Sequence, residues 1–262
     1  MSTFFSSSTN NNNKTNNTTA PELPQKRIEL ERFTRFSKSI LWKLNRNFYH
    51  EKGIAAWTQG YVPHFITNNA YHAKVFTRLF HSFLTDYYNN NNNDNNTNEA
   101  PFYIIELGGG CGKFAFLFLR SLQEKKQQHP INIVYVLTDC TATNVQYYQS
   151  HPSLRPFFEN GQLDVAILDD ENSNSRTSSS ASDSCFSLRL CQSGIVLSSK
   201  NPSKNPIVLI ANYVFDTLCQ DCFQVCNGQL REVKNIIFIT KKRIVVIISI
   251  SHFHLCILFF IL

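Results

Sequence analysis

The chain has 262 residues, a formal net charge of +6, and a composition that is 42% hydrophobic and 13% aromatic. That length and apolar content support one sizeable domain with a real core, which excludes bulk disorder. Its basic residues are dispersed rather than gathered into an arm and no nucleic-acid motif is present, so no nucleic-acid partner is expected.

Residues 1–21 read as a disordered Ser/Asn-rich tail, with Ser6 to Thr19 almost wholly Ser, Asn and Thr. Met1 to Ala20 shows neither a basic start nor an apolar run. No secretory signal is read there, and a cytoplasmic location is expected, with a mitochondrial or tail-anchored one left open. The eight cysteines are then expected to be reduced, mostly as small buried hydrophobes.

Residues 22–88 read as a helical N-terminal region. Ile28, Leu30, Phe33, Phe36, Ile40, Leu41 and Leu44 recur near the helical period from Glu22 onward. Gly53 and Gly60 interrupt the pattern around Trp57, and a second helix is expected from about Asn69. Tyr71, Val75, Leu79, Phe80 and Phe83 would form its apolar side. His64 and His72 read as hydrogen-bonded core residues, His64 being the better functional candidate because Pro63 precedes it in an extended stretch. An Asn-rich linker, 89–99, follows.

From Phe102 the pattern changes. Phe102 to Leu107, Ile131 to Leu137, Leu163 to Leu168 and Ile207 to Ala211 are continuous apolar runs, as expected of strands buried on both faces. Helices are expected between them at Phe114 to Leu122 and from Asn144 to Gln149, and Asn172 to Ser184 reads as a long Ser-rich loop. The fold class is therefore α/β, a parallel sheet covered on both faces, in a domain spanning residues 100–233.

The sharpest local signal is Ile104-Ile105-Glu106-Leu107-Gly108-Gly109-Gly110-Cys111-Gly112-Lys113-Phe114. A strand ends in an acid, a glycine loop follows, and a helix begins, which brings free backbone N–H groups close to a ligand. A dinucleotide fingerprint would need glycine where Lys113 stands, and a phosphate-binding loop would need Ser or Thr where Phe114 stands. What remains is Glu-x-Gly-x-Gly-x-Gly, formed by Glu106, Gly108, Gly110 and Gly112.

That pattern resembles motif I of the class I S-adenosylmethionine (SAM)-dependent methyltransferases, and the likeness covers roughly Phe102 to Glu232. It implies a Rossmann-like sheet, SAM as cofactor, and methyl transfer to an acceptor that is a protein or a small molecule. Asp139, ending Ile133-Val134-Tyr135-Val136-Leu137-Thr138-Asp139, matches the acid that accepts from the ribose hydroxyls of SAM. Asp169, after the third strand, matches a polar position near the adenine. Pro206-Ile207-Val208-Leu209-Ile210-Ala211-Asn212-Tyr213-Val214-Phe215-Asp216 is similar to the motif after strand four. There Asn212 and Asp216 would face the donor and acceptor, although Asp216 reads equally well as a helix N-cap. The Ala-Asn-x-x-Phe-Asp stretch is similar to the subfamily of mitochondrial complex I assembly arginine methyltransferases, which would make the acceptor a protein arginine. Pro63-His64-Phe65-Ile66-Thr67 resembles that subfamily's loop before the domain, and His64, beside Pro63, is separately expected to line the mouth of the SAM pocket. A catalytically silent SAM-binding-like protein acting through a partner is the alternative.

Cys219, Cys222 and Cys226 have no second ligand pair nearby in sequence, so no metal is expected. After the fourth strand only about fifty residues remain, too few for the family's seven-stranded sheet, and a C-terminally truncated domain is expected. Residues 234–262 are Ile/Phe-rich and open to three readings. They could be translated non-coding sequence, strands of a shortened sheet, or a membrane span behind Lys241-Lys242-Arg243.

Overall fold

A computed structural model describes residues 28–90, 100–125, 132–168, 187–240, 243–250 and 253–259, with side chains described as far as Ile237. The expected terminal tail, Asp169, most of the Asn-rich linker and the Ser-rich loop lie outside the described residues. The chain divides into two compact units, Leu41–Cys219 and a second made of Met1–Ile40 with Gln220–Leu262.

Strand β1 (Ile28–Arg35) opens the described chain, followed by helices α1 (Ile40–Lys52), α2 (Ala55–Thr58) and α3 (Ala70–Asn90). Then come β2 (Phe102–Leu107), α4 (Lys113–Lys125), β3 (Ile133–Asp139), α5 (Ala142–Ser150), α6 (Arg155–Glu159) and β4 (Leu163–Ile167). Short strands β5 (Ser187–Arg189), β6 (Val196–Ser198) and β7 (Val208–Ala211) complete the larger unit. The smaller one adds β8 (Phe223–Cys226), β9 (Gln229–Glu232), β10 (Lys234–Thr240), β11 (Arg243–Ile250) and β12 (Phe253–Phe259).

In the larger unit, β4, β3, β2 and β7 lie side by side in that order, all parallel. The fold is thus mixed α/β around a four-stranded parallel sheet, with the strands where the apolar runs are. Alternate side chains leave the strands on opposite faces. Ile104, Tyr135, Leu137, Leu163 and Val165 join the core that α3, α4, α5 and α6 cover. Tyr103, Ile105, Val136 and Ala166 pack instead under the β5–β6 hairpin, through Leu188, Leu190 and Leu197. Buried Asp164 ties that hairpin down by accepting from the Gln192 and Ser193 amides at 2.8 and 3.0 Å.

Helix α3 starts behind Asn69, whose Oδ1 accepts from the His72 amide at 3.1 Å, an N-cap that satisfies an orphan donor. Its buried face is the expected one at Phe80 and Phe83, which join the core, but not at Tyr71 and Leu79. Tyr71 and Leu79 are 73% and 62% exposed, while Ala73, Thr77, Phe80 and Leu84 turn inward. The phase is set by Phe76, Phe80, Phe83 and Tyr87, whose rings meet Phe114, Phe118 and Phe102 across α4 and β2.

Where helix was expected, Ile28–Arg35 is strand, and the first α-helix of the described residues begins at Ile40. Ile28 and Leu30 suit a period of two as well as 3.6, and β10 offers this segment an antiparallel partner, Ile28 lying opposite Ile239 and Arg35 opposite Lys234. From the middle of the strand, Glu31 Oε2 accepts from the Ile40 amide at 2.6 Å, a carboxylate at the start of α1.

In the smaller unit β1, β10, β11 and β12 form an antiparallel sheet in that order. Buried Asn235 donates to Glu31 Oε1 at 2.9 Å and to Ser39 Oγ at 3.0 Å, and Arg35 pairs with Asp221 and Glu232. Strands β8 and β9 turn through Asn227 and Gly228 (φ 51° and 76°), the left-handed pair a tight hairpin requires. The Ile-rich C-terminal segment is therefore strand where it is described. Those strands pair with β1 and one another rather than extending the parallel sheet. Among the described residues no helix is long and apolar enough to cross a membrane.

Candidate functional site

The larger unit carries a cavity of about 960 Å³ lined by residues from the C-terminal ends of β2, β3, β4 and β7. Parallel strands end there with their following loops, which is where open α/β sheets place ligands. Its lining combines the glycine loop, Asp139 to Thr143, Ile167 and Leu168, and Asn212 to Val214, together with Trp42, Arg46, Tyr49 and Trp57 from the helices before the sheet.

The glycine loop joins β2 to α4. Gly110 has a φ of 57°, and a Cβ there would stand 3.0 Å from the Trp57 indole. Both the left-handed backbone and the close ring demand glycine. Trp57 in turn stacks on Tyr49, their ring centroids 5.6 Å apart at 24°.

Two buried carboxyl groups flank this loop. Asp139 Oδ1 accepts from the Thr141 amide and hydroxyl, both at 2.9 Å. The Tyr148 hydroxyl lies 2.7 Å from the Gly110 carbonyl and 3.2 Å from Asp139 Oδ2. It has one proton to donate and the carbonyl is nearer, so Oδ2 keeps acceptor capacity. Thr141 also caps α5 through the Asn144 amide at 3.3 Å, so the helix start and the carboxylate are held by one side chain.

Glu106 is the second. Burial pushes its carboxyl up to about 8, while the Tyr135 hydroxyl, donating to Oε2 at 2.8 Å, opposes the shift. A carboxyl so placed holds its proton near neutrality unless a cation or donor arrives.

Of the residues anticipated at a cofactor site, Glu106, Gly108, Gly110 and Asp139 converge on the cavity, and Asn212 lines it as well. Gly112 lines a smaller hollow of about 300 Å³, which touches the large one at His64 and Cys111. Asp216 is not part of the lining. It sits exposed inside a single 3-10 turn, Phe215–Thr217, so it is not a helix N-cap either. Its charge still reaches the cavity: burial first, then Asp216, Cys140 and Asp139, push the Tyr49 hydroxyl upward.

His64 lines the cavity, with Nδ1 3.4 Å from the Val62 carbonyl, while the His72 ring lies 3.2 Å from Asn69 Oδ1 at the head of α3. Among the described residues no group of three or more His, Cys, Asp or Glu is arranged to hold a metal ion.

Several lining residues carry no local signature. Trp42, Arg46, Tyr49 and Trp57 reach the cavity only through the packing of α1 and α2, and the one advance sign was the pair of glycines bracketing Trp57. Asn68 is 8% exposed; its Nδ2 donates to Cys111 Sγ at 3.3 Å, and its Oδ1 is buried with no partner among the described residues. An orphaned amide oxygen in a cavity wall is an acceptor that a ligand can satisfy.

Comparison with models of known protein families, with curated proteins and with solved structures finds no match to this chain.

Proposed function

We propose that this chain binds S-adenosylmethionine in the 960 Å³ cavity and transfers its methyl group to an acceptor, as a class I methyltransferase with a Rossmann-like sheet. One observation carries the reading. The sheet runs third, second, first, fourth strand, and the acid–glycine loop ending the first strand shares a cavity with Asp139 ending the second. That order reverses between β2 and β7, the position where such sheets take a nucleoside.

Each side chain has a task in this reading. Asp139 Oδ2 accepts from the ribose hydroxyls, and the glycine loop lets the ligand approach the backbone closely. Glu106 and Asn68 Oδ1 accept from the ammonium end. Asn212, at the end of β7, faces the reacting methyl. The sulfonium supplies the electrophile, and the protein holds donor and acceptor in line and removes one proton from the acceptor. The Ala211-Asn212 to Phe215-Asp216 likeness makes a protein arginine the proposed acceptor, with Asp216 pairing its guanidinium at the cavity rim. A silent SAM-binding protein is the second reading, favoured by the position of Asp216 off the cavity wall.

Calorimetric titration with SAM tests the proposal. The wild-type chain binds it, and Asp139→Ala weakens binding about tenfold or more with the fold retained, as loss of a charge-assisted hydrogen-bond pair requires. No binding by the wild type removes the proposal. Binding without methyl transfer to arginine-containing proteins leaves the silent reading standing.

A further inference from the structure

Tyr213 holds a backbone conformation that its side chain makes costly. Its φ is 53°, in the left-handed region where residues with a Cβ other than Asn and Asp are rare. The neighbours explain the turn. Ala211 is still paired with Leu107 in the parallel sheet, and two residues beyond Tyr213 the chain is already in a 3-10 turn. The Val214 carbonyl is captured by the Thr217 amide at 3.0 Å and by the Thr217 hydroxyl at 2.6 Å. Val214 is in turn pressed against the loop, its Cγ2 lying 3.1 Å from where a Cβ on Gly108 would be. The reversal must be made at position 213, where glycine or asparagine would make it at little cost.

The fold gains little from a tyrosine at that point. Tyr213 is 66% exposed, and its hydroxyl makes no hydrogen bond among the described residues. Yet it lines the cavity, beside Asn212 at the end of β7. Strained backbone that packing does not require points to the site.

We infer that Tyr213 is a ligand-reading residue, its strain maintained so that an aromatic ring meets the cationic, methyl-bearing end of the bound sulfonium nucleoside. This inference rests on the methyltransferase reading. In that reading Asp139 at the end of β3 takes the ribose and the base lies toward β4, which leaves the sulfonium toward β2 and β7 in the sheet order. A ring face attracts a sulfonium and not a neutral thioether. Tyr213 therefore discriminates the methyl donor from its demethylated product, S-adenosylhomocysteine.

The test is a pair of titrations, with SAM and with S-adenosylhomocysteine, on the wild-type chain, Tyr213→Asn and Tyr213→Phe, together with the melting temperature of each without ligand. Tyr213→Asn should melt higher than wild type, since asparagine tolerates the left-handed turn. It should lose about tenfold in affinity for SAM and no more than about twofold for S-adenosylhomocysteine, the range of a partly desolvated cation–ring contact. Tyr213→Phe should keep the wild-type ratio of the two affinities. Equal loss for both nucleosides, or unchanged affinity with a raised melting temperature, overturns the inference while leaving SAM binding intact. A lowered melting temperature shows that the ring serves the fold, and also overturns it. A wild-type chain that binds neither nucleoside removes the methyltransferase reading, and the role of Tyr213 with it.

Discussion

Glu106 is a carboxyl placed where water barely reaches, and its chemistry is set by that placement. Folding raises it from 4.5 to about 8, with desolvation as the main cause. A carboxyl raised in this way stabilises the fold fully only below its ordinary range. The contribution is lost as pH climbs from about 4.5 to 8, because over that window the unfolded chain ionises freely while the folded state still holds its proton. Glu106→Gln keeps an acceptor for the Tyr135 hydroxyl and stays neutral throughout. Its stability should match wild type near pH 4.5 and exceed it by several kcal/mol at pH 8.5, measured by urea unfolding at both values. Parallel profiles for the two proteins would show that Glu106 is not buried in this way. In the proposed reading the same variant binds SAM less well, because a neutral amide cannot answer an ammonium as a carboxylate does. Glu106 and Asp139 were legible in the sequence because each ends a continuous apolar run, so the strand itself carries it to the rim of the sheet. Tyr49, Trp57 and Tyr213 were not legible as site residues. Their arrival at the cavity depends on helix packing and on one left-handed turn, and the glycines bracketing Trp57 are the one local mark either leaves.

At the scale of elements, the helix-covered face of the sheet depends on rings. Phe118 of α4 is 1% exposed, with ring centroids 6.2 Å from Phe80, 6.3 Å from Phe114 and 5.4 Å from Tyr135. It thus joins α3, α4 and β3 at one point. Phe118→Ala should destabilise the larger unit by about 3–5 kcal/mol, through lost burial and the cavity left behind. Denaturant unfolding would show a lower midpoint with an unchanged slope, and a loss under about 1 kcal/mol would mean that α4 does not pack there. The strands of the parallel sheet were legible because strands buried on both faces read as unbroken apolar runs, with no end misplaced by more than two residues. Strand β1 was not. Two alternating apolar residues fit either period, and the deciding partner, β10, lies some two hundred residues away in the chain. The face of α3 was legible only in part. Phe80 and Phe83 lie on the expected apolar side, but a stripe through them can be phased to include either Tyr71 and Leu79 or Phe76 and Tyr87, and only the aromatic surface of α4 and β2 chooses between the two.

At the scale of the whole molecule, every residue lining the cavity belongs to Leu41–Cys219, while the antiparallel sheet belongs to the other unit. The composition shift near Asn235 was visible in the sequence. The destination of the segment was not, because its strands pair with β1, which read as helix. This division has a thermodynamic consequence that scanning calorimetry can read. A ligand that binds only the native form of one unit stabilises that unit alone, by about 2.7 kcal/mol at a hundredfold excess over Kd. For a unit of this size the shift amounts to roughly 5–10 °C. With SAM present, the transition of the larger unit should move upward and that of the antiparallel sheet should stay in place. Asp139→Ala should cut the movement by about half or more at the same concentration, because a tenfold weaker Kd leaves only about 1.4 kcal/mol. The movement is read against the variant's own ligand-free scan, which the two Thr141 donors left without their acceptor will lower. If instead a single transition moves as a whole, the two units unfold cooperatively, and energy spent ordering the C-terminal strands would then count toward the stability of the site.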